Sequence, residues 1–344
     1  MNGKPAVWLD FENAPHVWVL TPIIDYLRRE GYPLILTARD FSCTVGLCQR
    51  LGHSIQVVGR PGIGKSDLAK RLKVGERALS LYVRLFGHRK GVALALSHGS
   101  RSQILAAHYL GLPVVVLNDY EFSDQSVFRF VDHLLMPFPI PKETRGRYAD
   151  RVVWYPGLKE ELYLYGFHPR ESGLEGLGDS SQIRVLMRPE GRFTHYRSAQ
   201  SEILQGAILE YLAQRDNVQL VLLPRDAEQG RALARFCTQH HLPYWIPQEV
   251  LDGPALIWEM DLVIGGGGTM TREAAVLGIP SYSFFAGQWG GVDRHLQAQG
   301  RLIRLADKGD VQKIKLTKRG PANPAISDAA LNFVTGFIEG VIRR

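Results

Sequence analysis

Apolar, β-rich runs alternate with helical patterns along almost the whole chain, and this alternation constrains the fold more than any other feature. AVWLD, a helical pattern over VWVLTPIIDYLRRE, PLILTA, TVGLCQRL, IQVV, a basic segment, VALALSH, ILAAHYLG and PVVVLND succeed one another. Such alternation predicts parallel strands with helices on both faces of a sheet. After RVVWYPG the pattern restarts with RVLMRP, SEILQGAILEYLAQ, QLVLLPR, AEQGRALARFCTQ, LPYWI, ALIWEM, DLVIGGGG, TREAAVLG and PSYSF. The class is therefore α/β, read as two doubly wound Rossmann-like lobes over residues 1–155 and 156–324. Two domains also suit 344 residues, more than one hydrophobic core usually serves. The last helical pattern, DAALNFVTGFIEGVIRR, lies in residues 325–344, has no strand after it and is expected to pack back on the first lobe. Ligands of open parallel sheets sit beyond the carboxyl ends of the strands, so two facing sheets predict a cleft lined by the polar residues that follow each strand.

Composition narrows the setting. Hydrophobic residues make up 45% and charged residues 22%, as in folded globular proteins. No apolar run approaches the roughly 18 residues of a membrane span, and MNGKPAVWLD lacks the apolar core of a signal peptide, so a cytoplasmic location is expected. Cys43, Cys48 and Cys237 form no C-x-x-C pair, which predicts reduced structural thiols and no zinc site. Residues 60–90 hold nine basic residues against two acids, Asp67 and Glu76, an excess equal to the formal +7 of the whole chain. Leu68, Leu72, Leu79, Leu81, Leu85 and Phe86 interleave with these charges, a pattern that fits a helix on an anionic membrane surface. A solvated basic face packed on the core by one side fits as well; a nucleic-acid partner is not expected, because no recognition motif accompanies the charge.

Five strand ends carry candidate chemistry. In DLVIGGGGTMTREAAVLGIPSY a strand runs into Gly265–Gly268, and Thr269 is read as the cap of the following helix. Glycines let a ligand approach the backbone, and a helix N-terminus offers free N–H groups to a pyrophosphate. Gly267, Gly268 and Thr269 are thus candidates for the diphosphate and Glu273 for a ribose, against a tight turn without a ligand. Asn13 and His16 follow the first strand, and His16 can take a proton near neutral pH, or can merely pack the first helix. SHGSRS and LNDYEFSD, each after an apolar strand, offer His98, Ser100, Asp119 and Glu121. Asp119 could equally cap the next helix. RPEGRFTHYR places Arg188 where a cation could hold a pyrophosphate, with Arg192 and His195 nearby.

GGGGTMTREAAVLGIP resembles the nucleotide-binding segment in the C-terminal lobe of GT-B glycosyltransferases and of the non-hydrolysing UDP-N-acetylglucosamine 2-epimerases, where glycines precede a helix bearing a ribose-binding glutamate. DFENAPHV, SHGSRS, NDYE, YPGLKEE, LPRD and GGGGTMTREAA together resemble the domain of unknown function 354 family of bacteria and archaea over nearly the whole chain. The resemblance implies a GT-B fold, with His16 as the base that deprotonates an acceptor hydroxyl and Asp119 and Glu121 as acceptor ligands or alternative bases. It implies that Ile246, beside Trp245, walls the base of the nucleotide and that Gln288 and Asp293 meet donor-sugar hydroxyls. The epimerase pattern has an Asp where this chain has Ser100, a departure that favours a transferase.

GRPGIGKS, residues 59–66, spells the phosphate-loop pattern G-x-x-x-x-G-K-[ST]. A phosphate loop also needs a magnesium-binding Asp directly after a downstream apolar strand, and VVVLND and VLLPRD interpose other residues. A basic edge on the acceptor side is the alternative. No D-x-D motif occurs, so no metal is expected. The expected function is a metal-independent glycosyltransferase with a UDP-linked sugar as co-substrate and no further cofactor, acting on a saccharide or lipid-linked acceptor in cell-surface polysaccharide or glycolipid synthesis. The rivals are a nucleotide-sugar 2-epimerase, a P-loop NTPase and a catalytically silent nucleotide-sugar binder.

Overall fold

The computed structural model describes residues 3–59, 67–168, 177, 181–190, 199–249, 251–322, 324 and 326–344. The chain divides into two compact units, one of Met1–Tyr163 with Ser327–Arg344 and one of Leu164–Ile326.

In the first unit the elements run β1 (Ala6–Phe11), α1 (Ala14–Arg29), β2 (Leu34–Ala38), α2 (Thr44–Arg50), β3 (Gln56–Val57), α3 (Asp67–Phe86) and β4 (Val92–Ser97). They continue with α4 (Arg101–Leu110), β5 (Val114–Leu117), β6 (His133–Pro137), β7 (Val152–Tyr155) and the one-turn α5 (Glu161–Leu164). The second unit holds β8 (Ile183–Arg188), α6 (Ala199–Ala213), β9 (Val218–Leu222), α7 (Ala227–Gln239), β10 (Tyr244–Trp245) and α8 (Gly253–Trp258). It ends with β11 (Leu262–Gly265), α9 (Gly268–Leu277), β12 (Ser281–Ser283), α10 (Gly291–Ala298) and β13 (Ile303–Arg304). The last helix, α11 (Ala329–Ile342), belongs to the first unit, where it lies against α1, β4 and β7.

Both sheets are parallel throughout, ordered β3-β2-β1-β4-β5-β6-β7 and β10-β9-β8-β11-β12-β13. Each reverses direction of winding beside its first strand, at β1/β4 and at β8/β11, the places where doubly wound sheets receive ligands. Central strands are apolar because helices cover both faces: Val7, Trp8, Leu9, Leu94 and Leu96 are buried in one sheet, and Val185, Leu186, Val263 and Ile264 in the other. The core of the second unit gathers Leu204, Ile208 and Leu212 of α6 and Leu233 and Cys237 of α7 against these strands.

Strand β6 and the edge strand β13 are absent from the runs read in the sequence, whereas ALIWEM, which takes the helical place between two strand runs, contributes to α8. The first unit runs on past residue 155 to Tyr163, since Leu158 and Leu162 are buried after β7. The thiols behave as structural groups: burial pushes Cys48 up to about 12 and Cys237 up to about 11, and all three cysteines are free.

Candidate functional site

In the first unit the ends of β1, β4, β5 and β7 deliver one cluster of ionisable side chains. His16 sits in the first turn of α1, directly after Pro15, and Asn13 takes the cap position. Its ring meets that of His98, which follows β4, edge-on at 4.8 Å between centroids. His98 Nε2 lies 3.2 Å from Asp119 Oδ1, without the alignment of a hydrogen bond, and Lys159 Nζ lies 2.8 Å from Asp119 Oδ2. Lys159 also stands 3.2 Å from Glu160 Oε1, and both residues are buried. His16 Nε2 lies 3.5 Å from Asn13 Nδ2, while His16 Nδ1 is buried with no hydrogen bond among the described residues. Burial first, then the neighbouring His98 and Lys159, hold the His16 pKa well below the usual imidazole value of 6.5; Asp119 opposes them. His16 is therefore a neutral imidazole at physiological pH, able to accept a proton.

The structure brings His16, Asn13, His98 and Asp119 together and sets two other candidates to different tasks. Ser100 caps α4 by accepting from Gln103 N, and its hydroxyl donates to Asp10 Oδ2 at 2.6 Å. That hydroxyl is fully buried. Glu121 is buried too, and its carbonyl accepts from Arg145, which also bonds Asn118 Oδ1 and Tyr120 O and so pins the NDYE loop from behind. No helix directly follows β5, so Asp119 is an ion-pair partner and not a cap.

Beside this cluster lies a buried ion pair that the sequence did not announce. Arg77 of α3 holds Asp10 bidentately, at 2.9 and 2.7 Å, and donates to Val58 O. Thr37 Oγ1 donates to Asp10 Oδ1 as well, completing the acceptor capacity of the carboxylate. Only 4% of Arg77 is exposed.

In the second unit β8 and β11 end side by side, with Gly265 opposite Arg188. The glycine run is demanded by packing: a Cβ on Gly266 would stand 2.7 Å from the Phe284 ring and 2.8 Å from Glu190 N. Helix α9 starts at Gly268 with extended Gly267 at the cap, so Thr269 lies inside the first turn and does not cap it. No side chain caps the helix; the Thr271 hydroxyl donates back to Gly267 O and Gly268 O. Two guanidinium groups flank the helix start: a Cβ on Gly267 would meet Arg225 Nη2 at 3.3 Å, and one on Gly268 would meet the Arg272 guanidinium at 3.2 Å. Asp293 is buried and holds Arg272 at 2.7 and 2.8 Å, so its carboxylate is engaged within the protein. Arg188 donates to Leu223 O and Pro224 O, Glu273 is buried on α9, Ile246 packs on the core, and Gln288 is exposed.

Sequence reasoning missed Lys159 and Arg225, although YPGLKEE and LPRD were both in view. Inspecting the first polar residues after β7 and β9, as was done for the other strands, finds them. Arg192, His195 and residues 60–66 of GRPGIGKS lie outside the described residues. Among the described residues no group of His, Cys, Asp and Glu could hold a metal ion, and no helix is long and apolar enough to cross a membrane. A cavity of about 450 Å³ opens at the amino ends of β5 and β6 beside His108, Arg129 and Asp132.

Two parallel sheets joined in one chain, each with its polar residues gathered at the winding reversal, define a GT-B-like protein. The fold matches that of UDP-GlcNAc 2-epimerase from Neisseria meningitidis bound to UDP-GlcNAc, with a TM-score of 0.71 at 12% identity over 98% of this chain and 100% of that one. It matches MurG from Acinetobacter baumannii with a TM-score of 0.52 at 16% identity over 98% and 100%. The chain belongs to the family described as "Protein of unknown function (DUF354)", whose model matches residues 6–319. An uncharacterized protein of Methanocaldococcus jannaschii is 27% identical to it over 312 residues, 88% of each chain.

Proposed function

We propose that the protein is a metal-independent glycosyltransferase that takes its sugar from a UDP-linked donor. The observation that carries this reading is His16: a neutral imidazole held by burial at the end of the first strand, with Nδ1 lacking a partner among the described residues. Asp119, fixed by Lys159, stands behind His98 and stabilises positive charge that reaches the imidazole pair during proton transfer. In the second unit the open start of α9, Gly267–Thr269, with Arg225 and Arg188 near it, receives the diphosphate, and Glu273 the ribose. Ile246 walls the base, and Gln288 meets the donor sugar.

The acceptor is a saccharide or lipid-linked saccharide for cell-surface polysaccharide or glycolipid, met in the cytoplasm. Epimerisation is the second reading, favoured by the fold of the N. meningitidis enzyme. Against it, the position where the epimerase pattern carries an Asp is Ser100, spent on Asp10 and on capping α4. UDP-GlcNAc incubated with the protein in heavy water separates the two. A transferase leaves carbon 2 of the sugar unlabelled and releases UDP only when an acceptor is added; deuterium at carbon 2 without acceptor would identify an epimerase.

A further inference from the structure

Helix α3 has two apolar sides, and the fold covers one of them. Ala78, Leu81 and Leu85 are buried with Arg77. Leu68, Leu72, Leu79 and Val83 are each 63–68% exposed, and Phe86 in the last turn is 46% exposed. At about 100° per residue these five side chains fall within about 60° of one another, a stripe about 27 Å long at 1.5 Å per residue. Val57 on the edge strand β3 is exposed as well, and its neighbour Gln56 accepts from Arg84 of α3. A continuous apolar stripe of this size on a surface marks a docking face.

Its surroundings are cationic. Arg71, Arg84 and Lys90 are exposed, Lys73 and Arg89 are half-buried, and Glu76 is the only acid after Asp67. Arg89 lies 4.0 Å over the Phe86 ring. A second copy of the chain would bring like charges face to face, whereas an anionic bilayer complements both the stripe and its borders. We propose that α3 lies in the interface of an anionic membrane, its leucines, valine and phenylalanine toward the acyl chains and its arginines and lysines among the headgroups.

The helix is firmly mounted for this task. Arg77, on the side opposite the stripe, is locked to Asp10 of β1, and Asp10 in turn accepts from Ser100, two residues after His98. Docking therefore fixes the strand ends that carry His16 and His98 with respect to the bilayer; resting on the transferase reading, this points to an acceptor presented from the lipid.

Vesicle flotation of the full chain tests the docking without any nucleotide. The protein is expected to float with vesicles of phosphatidylcholine mixed with phosphatidylglycerol at low salt, and to stay behind with phosphatidylcholine alone. The double variants Leu72→Gln with Leu79→Gln and Arg71→Glu with Arg84→Glu should each weaken flotation on the order of tenfold or more, with unchanged melting and UDP affinity. Wild type that stays soluble with both vesicles, or flotation that neither double variant reduces, overturns the proposal. So does a dimer in sedimentation that the leucine variant splits, which would seat a second copy on the stripe. UDP binding measured on the same samples keeps the two ideas apart: lost flotation with intact UDP binding removes the membrane face alone, and the converse removes the nucleotide site alone.

Discussion

His16 concentrates most of the chemistry assigned to single residues. Its imidazole is neutral because burial disfavours the charged form and His98 and Lys159 add to that effect. Replacing it by Ala should leave donor affinity intact and lower turnover on the order of a hundredfold or more, read by steady-state UDP release; a fully active variant contradicts its role as base. The depressed pKa also has a stability consequence. Below 6.5 the unfolded chain takes up a proton on this residue before the folded chain does, so stability is fully present above 6.5 and is lost as pH falls toward the folded value. Melting temperatures of wild type should therefore drop between pH 7 and acid more steeply than those of His16→Gln, and parallel curves would refute the shift. His16, His98 and Asp119 were visible as candidates in the sequence because each lies within five residues of the end of a clear apolar strand. Lys159 was not, because YPG reads as a boundary turn that draws attention away from the residues after it.

Among the elements, α3 shows how sequence pattern can be right and still ambiguous. Its charges and apolar spacing announce an amphipathic helix, but two apolar sides leave the phase open, and nothing in the spacing singles out Arg77 as the buried partner of Asp10. That pair makes a sharp prediction. Arg77→Met should cost about 3–5 kcal/mol in urea unfolding, because it strands Asp10 as an uncompensated buried charge. Adding Asp10→Asn should recover part of the loss; a cost under about 1 kcal/mol for the single variant would show that the carboxylate finds water or another partner. The long central strands β1, β4, β8 and β11 were evident from their apolar runs. Short edge strands were less so: β3, β10 and β13 have two residues each, and pairing within the sheet, not local sequence, decides where they start and stop. HLLMP, which forms β6, is five residues closed by Pro137, too short to stand out from the loops on either side.

At the scale of the whole molecule, the family is fixed by 314 matched residues, from 6 to 319, and the fold by its match to the Neisseria meningitidis UDP-GlcNAc 2-epimerase and to MurG across almost the entire chain. The two-lobed α/β reading was available from alternation alone, because a right-handed strand–helix–strand repeat has few other ways to fold. The nucleotide was less legible, since the letters GRPGIGKS point to one phosphate site and GGGGTMTREAA to another. Calorimetric titration of UDP, GDP, dTDP and ATP into wild type, Glu273→Ala and Lys65→Ala decides between them most directly. UDP should bind best, Glu273→Ala should lose about 1–3 kcal/mol of that affinity, the scale of hydrogen bonds to a charged group, and Lys65→Ala should bind as wild type does. Preferential binding of ATP that Lys65→Ala abolishes, with Glu273→Ala unaffected, would contradict the account.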